Sequence, residues 1–192
     1  MDDQDKASSW LQVGREGRAF YPFAPSVDQI DIKDIALSLS KMCRYNGHCW
    51  GMFSVAKHSS VGASMIMYDN IFKLDDYEAK TLAKEFLLHD ASEAYLGDLI
   101  SPIKAFSPDY KITEGIVEET ISKKFNLPYP LSPNVKLMDR IMLAWEKRDI
   151  IPNGPFWSDL VDITPYRLPL LPSSKSWGED YDEFMDLYYE IF

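Results

Sequence analysis

Three histidines occur in the chain, and His89 has the most telling neighbours: Asp90 follows it directly, Glu93 stands four residues on, and the apolar run Phe86-Leu87-Leu88 precedes it. A charged pair set against such a run needs a partner or a metal ion if it is buried. The His-Asp step is weak evidence alone. With three His and nineteen Asp among 192 residues, chance supplies one in about three sequences of ten. On a helix, Glu93 would lie one turn beyond both His89 and Asp90, so the three side chains could share one side. His58 belongs to an earlier segment, Ser54-Val55-Ala56-Lys57-His58-Ser59, and Asp139 to a later one, Lys136-Leu137-Met138-Asp139-Arg140. An imidazole from one helix, a His-Asp pair from a second and a carboxylate from a third make a mixed nitrogen and oxygen ligand set. Such a set suits one divalent ion of Mn, Fe, Co, Ni or Zn, and Mg less readily.

Helices are the elements that must position these groups. Apolar residues Ile32, Ile35, Ala36, Leu39 and Met42 follow helical spacing over 31–43, with Asp31 as N-cap. Arg44-Tyr45-Asn46-Gly47-His48 reads as a loop. Ser54 opens a helix to about residue 68, and Asp75-Asp76 opens a third, which carries Leu82, Phe86, Leu87 and Tyr95 to a stop at Gly97. Further helices are predicted over 110–125, over 133–149 behind Ser132-Pro133, and near 178–190. Residues 1–9 read as a loose tail, 10–30 as mostly irregular around Gly14, Gly17, Pro22 and Pro25, and 152–172 as Pro-rich connections. Strand signals are weak. The expected fold is an all-α bundle of about six helices in one domain spanning 1–192.

Composition narrows the function classes. The length and the 46% hydrophobic content allow a real core, and aromatics reach 14%. A net charge of −10 argues against a surface for polymeric DNA or RNA, which rests on Lys and Arg clusters. It does not argue against a mononucleotide, which needs one metal ion and a few cations in a pocket. No apolar run is long enough to cross a bilayer, and the acidic, polar start MDDQDKASSW is not a secretory signal. Two cysteines, Cys43 and Cys49, fit a reducing cytosol better than a disulfide scaffold. Cys43 reads as a small core residue and Cys49 as an ordinary loop thiol.

The segment Leu87-Leu88-His89-Asp90-Ala91-Ser92-Glu93-Ala94-Tyr95-Leu96-Gly97-Asp98 closely resembles the central motif of bacterial and phage HD-domain 5′-deoxynucleotidases. Arg44-Tyr45 followed by Ser54 to Ser59 looks like that family's upstream segment, and Asp139 falls where its last metal ligand would be. The resemblance runs from about Gly17 to Asp149. It implies an HD-domain helical bundle in which His58, His89, Asp90 and Asp139 hold one divalent metal ion. Glu93 would activate or orient the attacking water, and Arg44 would pair with a substrate phosphate. Tyr45 would pack against sugar or base, where relatives often carry Trp. Asp98 would bond the sugar 3′-hydroxyl and crowd a 2′-hydroxyl. Gly17-Arg18-Ala19-Phe20-Tyr21-Pro22 and Arg44-Tyr45-Asn46-Gly47-His48 look more like the phage-type branch, which includes dATP triphosphohydrolases. The resemblance therefore implies either triphosphate release from a dNTP, dATP first, or 5′-phosphate release from a dNMP. It also implies a cytoplasmic protein of a bacterial cell, phage-encoded or not, assembled as a homo-oligomer between dimer and hexamer.

His48 and Lys104 are further candidates for the phosphate. Each has a plainer alternative: His48 holding its loop, and Lys104 as a surface lysine with its stem on apolar groups. Four protein ligands leave up to two positions open on an octahedral ion, for water and a phosphate oxygen. Glu93 is not needed as a ligand and is free to act as base. Two other classes compete. One is a different HD activity, a cyclic-dinucleotide phosphodiesterase or an alarmone hydrolase, against which Arg44-Tyr45 and Asp98 point toward a deoxynucleoside. The other is a non-enzymatic helical binding module with a structural metal, which would prefer a closed site.

Overall fold

A computed structural model describes residues 8–49, 51–167 and 176–192. Among them the helices are α1 (Ile32–Leu39), α2 (Val55–Ser64), α3 (Asp76–Leu87), α4 (Glu93–Leu96), α5 (Ser101–Lys104), α6 (Pro108–Phe125), α7 (Pro133–Asp149) and α8 (Trp177–Ile191). The only sheet among these residues is an antiparallel hairpin of β1 (Leu11–Val13) and β2 (Arg18–Phe20), with Leu11 opposite Phe20. The all-α expectation therefore holds, with eight helices rather than about six. The tail reading falls mainly on residues 1–7, which lie outside the described residues, as does the stretch 168–172 of the Pro-rich connection.

Side-chain caps set four of the eight helix starts. Asp31 accepts from the backbone of Lys33, Ser54 from Lys57 and Ser176 from Glu179, and Asp75 and Glu78 form a reciprocal capping box. Inside 10–30, where the sequence reads as irregular, a hairpin of two three-residue strands forms. It is too short to show alternation, and it is anchored because Phe20 is buried and stacks on Tyr95 at 4.2 Å between ring centres. Two helices are shorter than their apolar patterns. The first stops at Leu39, and the second turns from α to π geometry over Met65–Asp69.

The third helix departs most from expectation. Instead of running through to Gly97, it ends at Leu87 and resumes at Glu93. In a continuous helix the carbonyl of Phe86 would accept from the amide of Asp90. Here it takes the backbone N–H of His89 and also the His89 Nδ1–H, at 2.6 Å. Residues 89–93 then wind in tight turns, with the amides of Ala91 and Glu93 donating three residues back. The apolar pattern survives, since Ala91 and Tyr95 are both buried, so periodicity alone does not reveal the break. His89 and Asp90 thus lie in a tight corner, not on a helix face.

The core joins these elements around the corner. Phe53, Val55, Ala56, Phe86, Leu87, Met138, Met142 and Phe184 all belong to it. Helix α2 approaches α3 closely at Gly62, where the Phe86 ring occupies the space a β-carbon would need. Helix α8 is fastened to the start of α2 through a buried bond from the Ser54 hydroxyl to Asp180 Oδ2, 2.6 Å. Among the described residues, no helix is long and apolar enough to cross a membrane.

Candidate metal centre

His58 sits one turn into α2 and is fully buried. Its Nδ1 lies 2.5 Å from Glu146 Oε1 on α7, and its Nε2 faces Asp139 Oδ1 at 3.3 Å. His89 enters from the corner after α3, its ring stacked on Phe86 at 4.3 Å and 5.3 Å from the His58 ring. Each imidazole thus has Nδ1 engaged by an oxygen acceptor, which leaves the Nε2 lone pair as the free valence of the neutral ring. Both Nε2 atoms are buried without a hydrogen-bond partner among the described residues. One ligand atom each from His58, His89 and Asp139 fall within 4.8 Å of one another. Two orphaned imidazole nitrogens converging on a carboxylate fit a divalent transition ion, and nothing about the donor set disfavours one.

Charge within the cluster follows from the same contacts. Burial and the Arg44 cation oppose a proton on His58, but the Glu146 and Asp139 carboxylates outweigh them and lift its pKa to about 9. Burial would raise Asp139, yet the His58 imidazole it faces and the nearby His89 and Arg44 hold it far below the usual carboxylate range. A proton on His58 and a divalent cation accepted by the same atoms would compete.

Asp90 stands beside this trio. Its Oδ2 is 3.2 Å from His89 Nε2 and 3.6 Å from the Arg44 guanidinium. Glu93, first residue of α4, is partly buried, with one buried carboxylate oxygen lacking a partner among the described residues. Burial, then the Asp90 and Asp98 charges, push its carboxyl up to about 10 against the opposing pull of Arg44 and Lys104. Asp98 follows Gly97 and is raised by burial, with Arg44 working against the shift. Gly97, at φ 81°, turns the chain out of α4 in a conformation L-residues rarely adopt. Lys104 pairs with Glu114 at 2.5 Å, and the fields of Glu93 and Asp90 also reach it. His48 is exposed at the end of its turn, where its amide donates to the Tyr45 carbonyl.

Arg44 and Tyr45 lie on a turn at Arg44–Gly47, where Tyr45, Asn46 and Gly47 all have positive φ (59°, 51° and 77°). Gly47 adopts this conformation freely, but the two consecutive left-handed side-chain-bearing residues before it are costly and need support from outside the turn. Glu146 supplies it. Its Oε2 accepts from Arg44 Nε at 3.0 Å and from the Tyr45 hydroxyl, while its Oε1 serves His58. The Tyr45 ring also approaches Trp157, at 6.2 Å.

Glu146 is the group that inspection of the sequence overlooks. It is fully buried, and although burial works against its charge, Arg44 and His58 hold it below the usual carboxylate range. A signal was available. Asp139, Met142 and Glu146 stand at i, i+3 and i+7 on α7, so Glu146 falls on the stripe that buries Met138 and Met142. A glutamate on an apolar stripe two turns beyond a candidate ligand is a polar group in search of partners.

Comparison with known proteins agrees with this arrangement. A family model described as 5′-deoxynucleotidase YfbR-like matches residues 46–141. The match contains His58, His89, Asp90, Glu93, Asp98, Lys104 and Asp139, and begins just after Arg44-Tyr45. The chain is 36% identical over 180 residues to the uncharacterized protein YfdR of Escherichia coli K12, covering 91% of this chain and 92% of the relative. It is 29% identical over 142 residues to an uncharacterized protein of Rhodobacter capsulatus, covering 70% and 69%. The chain belongs to the YfbR-like family of HD-domain phosphohydrolases.

Proposed function

We propose that the chain is a metal-dependent 5′-deoxynucleotidase, which hydrolyses a deoxynucleoside monophosphate to a deoxynucleoside and phosphate. The observation that carries this is the pair of buried Nε2 atoms of His58 and His89, left free by their engaged Nδ1 atoms and facing Asp139. These three residues would hold one divalent ion, with Asp90 beside His89 as the fourth ligand. Bound there, the ion would lower the pKa of a water and polarise the phosphoryl group.

The remaining roles belong to the protein's own side chains. Glu93 has a partnerless buried oxygen next to Asp90 and takes the proton of the attacking water; a divalent cation nearby would bring its raised carboxyl into the range of a base. Arg44 offers its guanidinium to the phosphate, a bidentate grip that a lysine would not reproduce. Asp98 receives the sugar 3′-hydroxyl and leaves little room for a 2′-hydroxyl, and Tyr45 lies against sugar or base. Water adds to phosphorus, the ester oxygen leaves with a proton, and the products are the 5′-hydroxyl and inorganic phosphate.

A monophosphate is favoured over a triphosphate by charge. Among the described residues, the largest cationic fields at Glu93 are those of Arg44 and Lys104, and both already face carboxylates, Glu146 and Asp90 for the first and Glu114 for the second. That supply suits one phosphate group better than three.

The test is to incubate the Co-loaded protein separately with dAMP, AMP and dATP and identify the products by chromatography and mass. Deoxyadenosine from dAMP, little turnover of AMP and none of dATP is the expected result. Tripolyphosphate and deoxyadenosine from dATP, with dAMP untouched, would make the chain a triphosphohydrolase instead. No turnover of any nucleotide would leave a metal-bearing binding module.

A further inference from the structure

Arg44, Tyr45 and His58 all touch one further group, Glu146. Glu146 is wholly buried on α7, and its two oxygens face two different functions. Oε1 meets His58 Nδ1 at 2.5 Å, on the ring edge opposite the atom that faces Asp139. Oε2 meets Arg44 Nε at 3.0 Å and the Tyr45 hydroxyl. The bond to Arg44 uses Nε, so the terminal guanidinium nitrogens are left to point toward Asp90, whose Oδ2 lies 3.6 Å from Nη1, on the side where a phosphate would approach.

We infer that Glu146 is a positioning residue that orients the metal-binding imidazole and the phosphate-gripping loop together. This rests on the metal-dependent phosphohydrolase proposed above. As a carboxylate, Glu146 can only accept, so it fixes His58 as the Nδ1–H tautomer and turns the Nε2 lone pair toward Asp139. The same acceptor takes two donors from the Arg44–Gly47 turn and so holds its run of left-handed residues in place. Tyr45 has a reason to be a tyrosine here: its hydroxyl bonds the carboxylate, which no tryptophan in that position could do in the same way.

Glu146→Gln tests this sharply, because the side chain keeps its shape but replaces one acceptor by a donor. If the amide NH₂ faces His58, the ring must accept at Nδ1, and Nε2 then carries a proton into the metal site. If it faces the loop, the Arg44 Nε–H meets a donor. Either orientation damages one of the two functions.

The readouts are metal affinity by calorimetric titration of Co into the apoprotein, and KM and kcat for dAMP with saturating Co. The expected result is a loss of metal affinity of about 10- to 100-fold, a rise in KM, or both, with the folded state confirmed by near-UV circular dichroism. A folded Glu146→Gln with wild-type metal affinity and wild-type KM overturns the inference. If the variant does not fold, the wild-type protein still decides. In the Zn-loaded protein, long-range proton–nitrogen NMR of the histidine rings, of which there are only three, should show His58 protonated at Nδ1 and free of a proton at Nε2. The opposite tautomer, or Nδ1 bound to Zn, contradicts it. The tautomer and the metal affinity need no substrate, so they stand or fall separately from the nucleotidase reading, which the wild-type turnover assay decides.

Discussion

Substituting Gly62 by Ala probes how the fold supports the site from behind. Gly62 lies on α2, one turn beyond His58, and a methyl added there would meet Phe86 Cε1 at 2.1 Å, with Cζ at 2.8 Å and Cδ1 at 2.9 Å. Ordinary contact begins near 3.4 Å, so the ring would have to retreat by about 1.3 Å or the two helices separate. Phe86 is fully buried in close-packed surroundings, and overpacking of this kind costs about 1–3 kcal/mol. For a chain of this size, that lowers the melting temperature by about 2–12 °C. The same ring stacks on His89, and the Phe86 carbonyl holds His89 Nδ1. Displacing Phe86 therefore also moves one of the two imidazoles that would bind the ion, and metal affinity should fall by about tenfold or more. Differential scanning calorimetry of the apoprotein reads the first effect, and calorimetric titration with Co the second. A Gly62→Ala protein that melts within a degree of wild type and binds Co equally well would refute the claim that close approach of α2 and α3 sets the position of His89.

Three further outcomes follow from the site. Glu93→Gln should keep metal affinity within a few-fold of wild type while kcat for dAMP drops by about 10²–10⁴; loss of the metal instead would make Glu93 a ligand. Asp98→Ala should erode the preference for dAMP over AMP by about tenfold or more, measured as the ratio of kcat/KM, and an unchanged ratio would remove Asp98 from sugar recognition. Glu118 on α6 is raised to about 7 by burial and then by Glu114, with Lys104 opposing. Because the folded protein holds that proton more tightly than the unfolded chain, whose value is near 4.3, the associated stability is full below about pH 4. It is lost as pH rises through about 7. Thermal melts of the apoprotein should show Glu118→Gln losing less stability than wild type between pH 5 and pH 8; equal losses would contradict this.

Much of the fold was legible because its helices carry their own punctuation. Asp31, Ser54, Asp75 and Ser132 each precede a helix where expected. The break after Leu87 was not legible, since it depends on a side chain, His89, taking the carbonyl that would have continued the helix. Apolar spacing is blind to that exchange. The hairpin at 11–20 was missed because three-residue strands owe their form to tertiary anchoring of Phe20 rather than to local alternation. Within the site, His58, His89 and Asp139 converge although 81 residues separate His58 from Asp139, and Asp90, Glu93 and Arg44 cluster beside them. His48 and Lys104 are differently placed, the first exposed and the second paired with Glu114. Glu146 escaped because a buried carboxylate is recognised by its partners, and those partners lie 88 to 102 residues away in the chain.

The most direct test of metal-dependent dephosphorylation is a titration of the chelator-stripped protein with Co in the presence of excess dAMP, following deoxyadenosine and phosphate together. The account predicts no product without the ion, then equal amounts of both products at a rate that saturates at one ion per chain. Products released at the same rate in chelator, or a chain saturated with Co that releases neither from any deoxynucleotide, would contradict it.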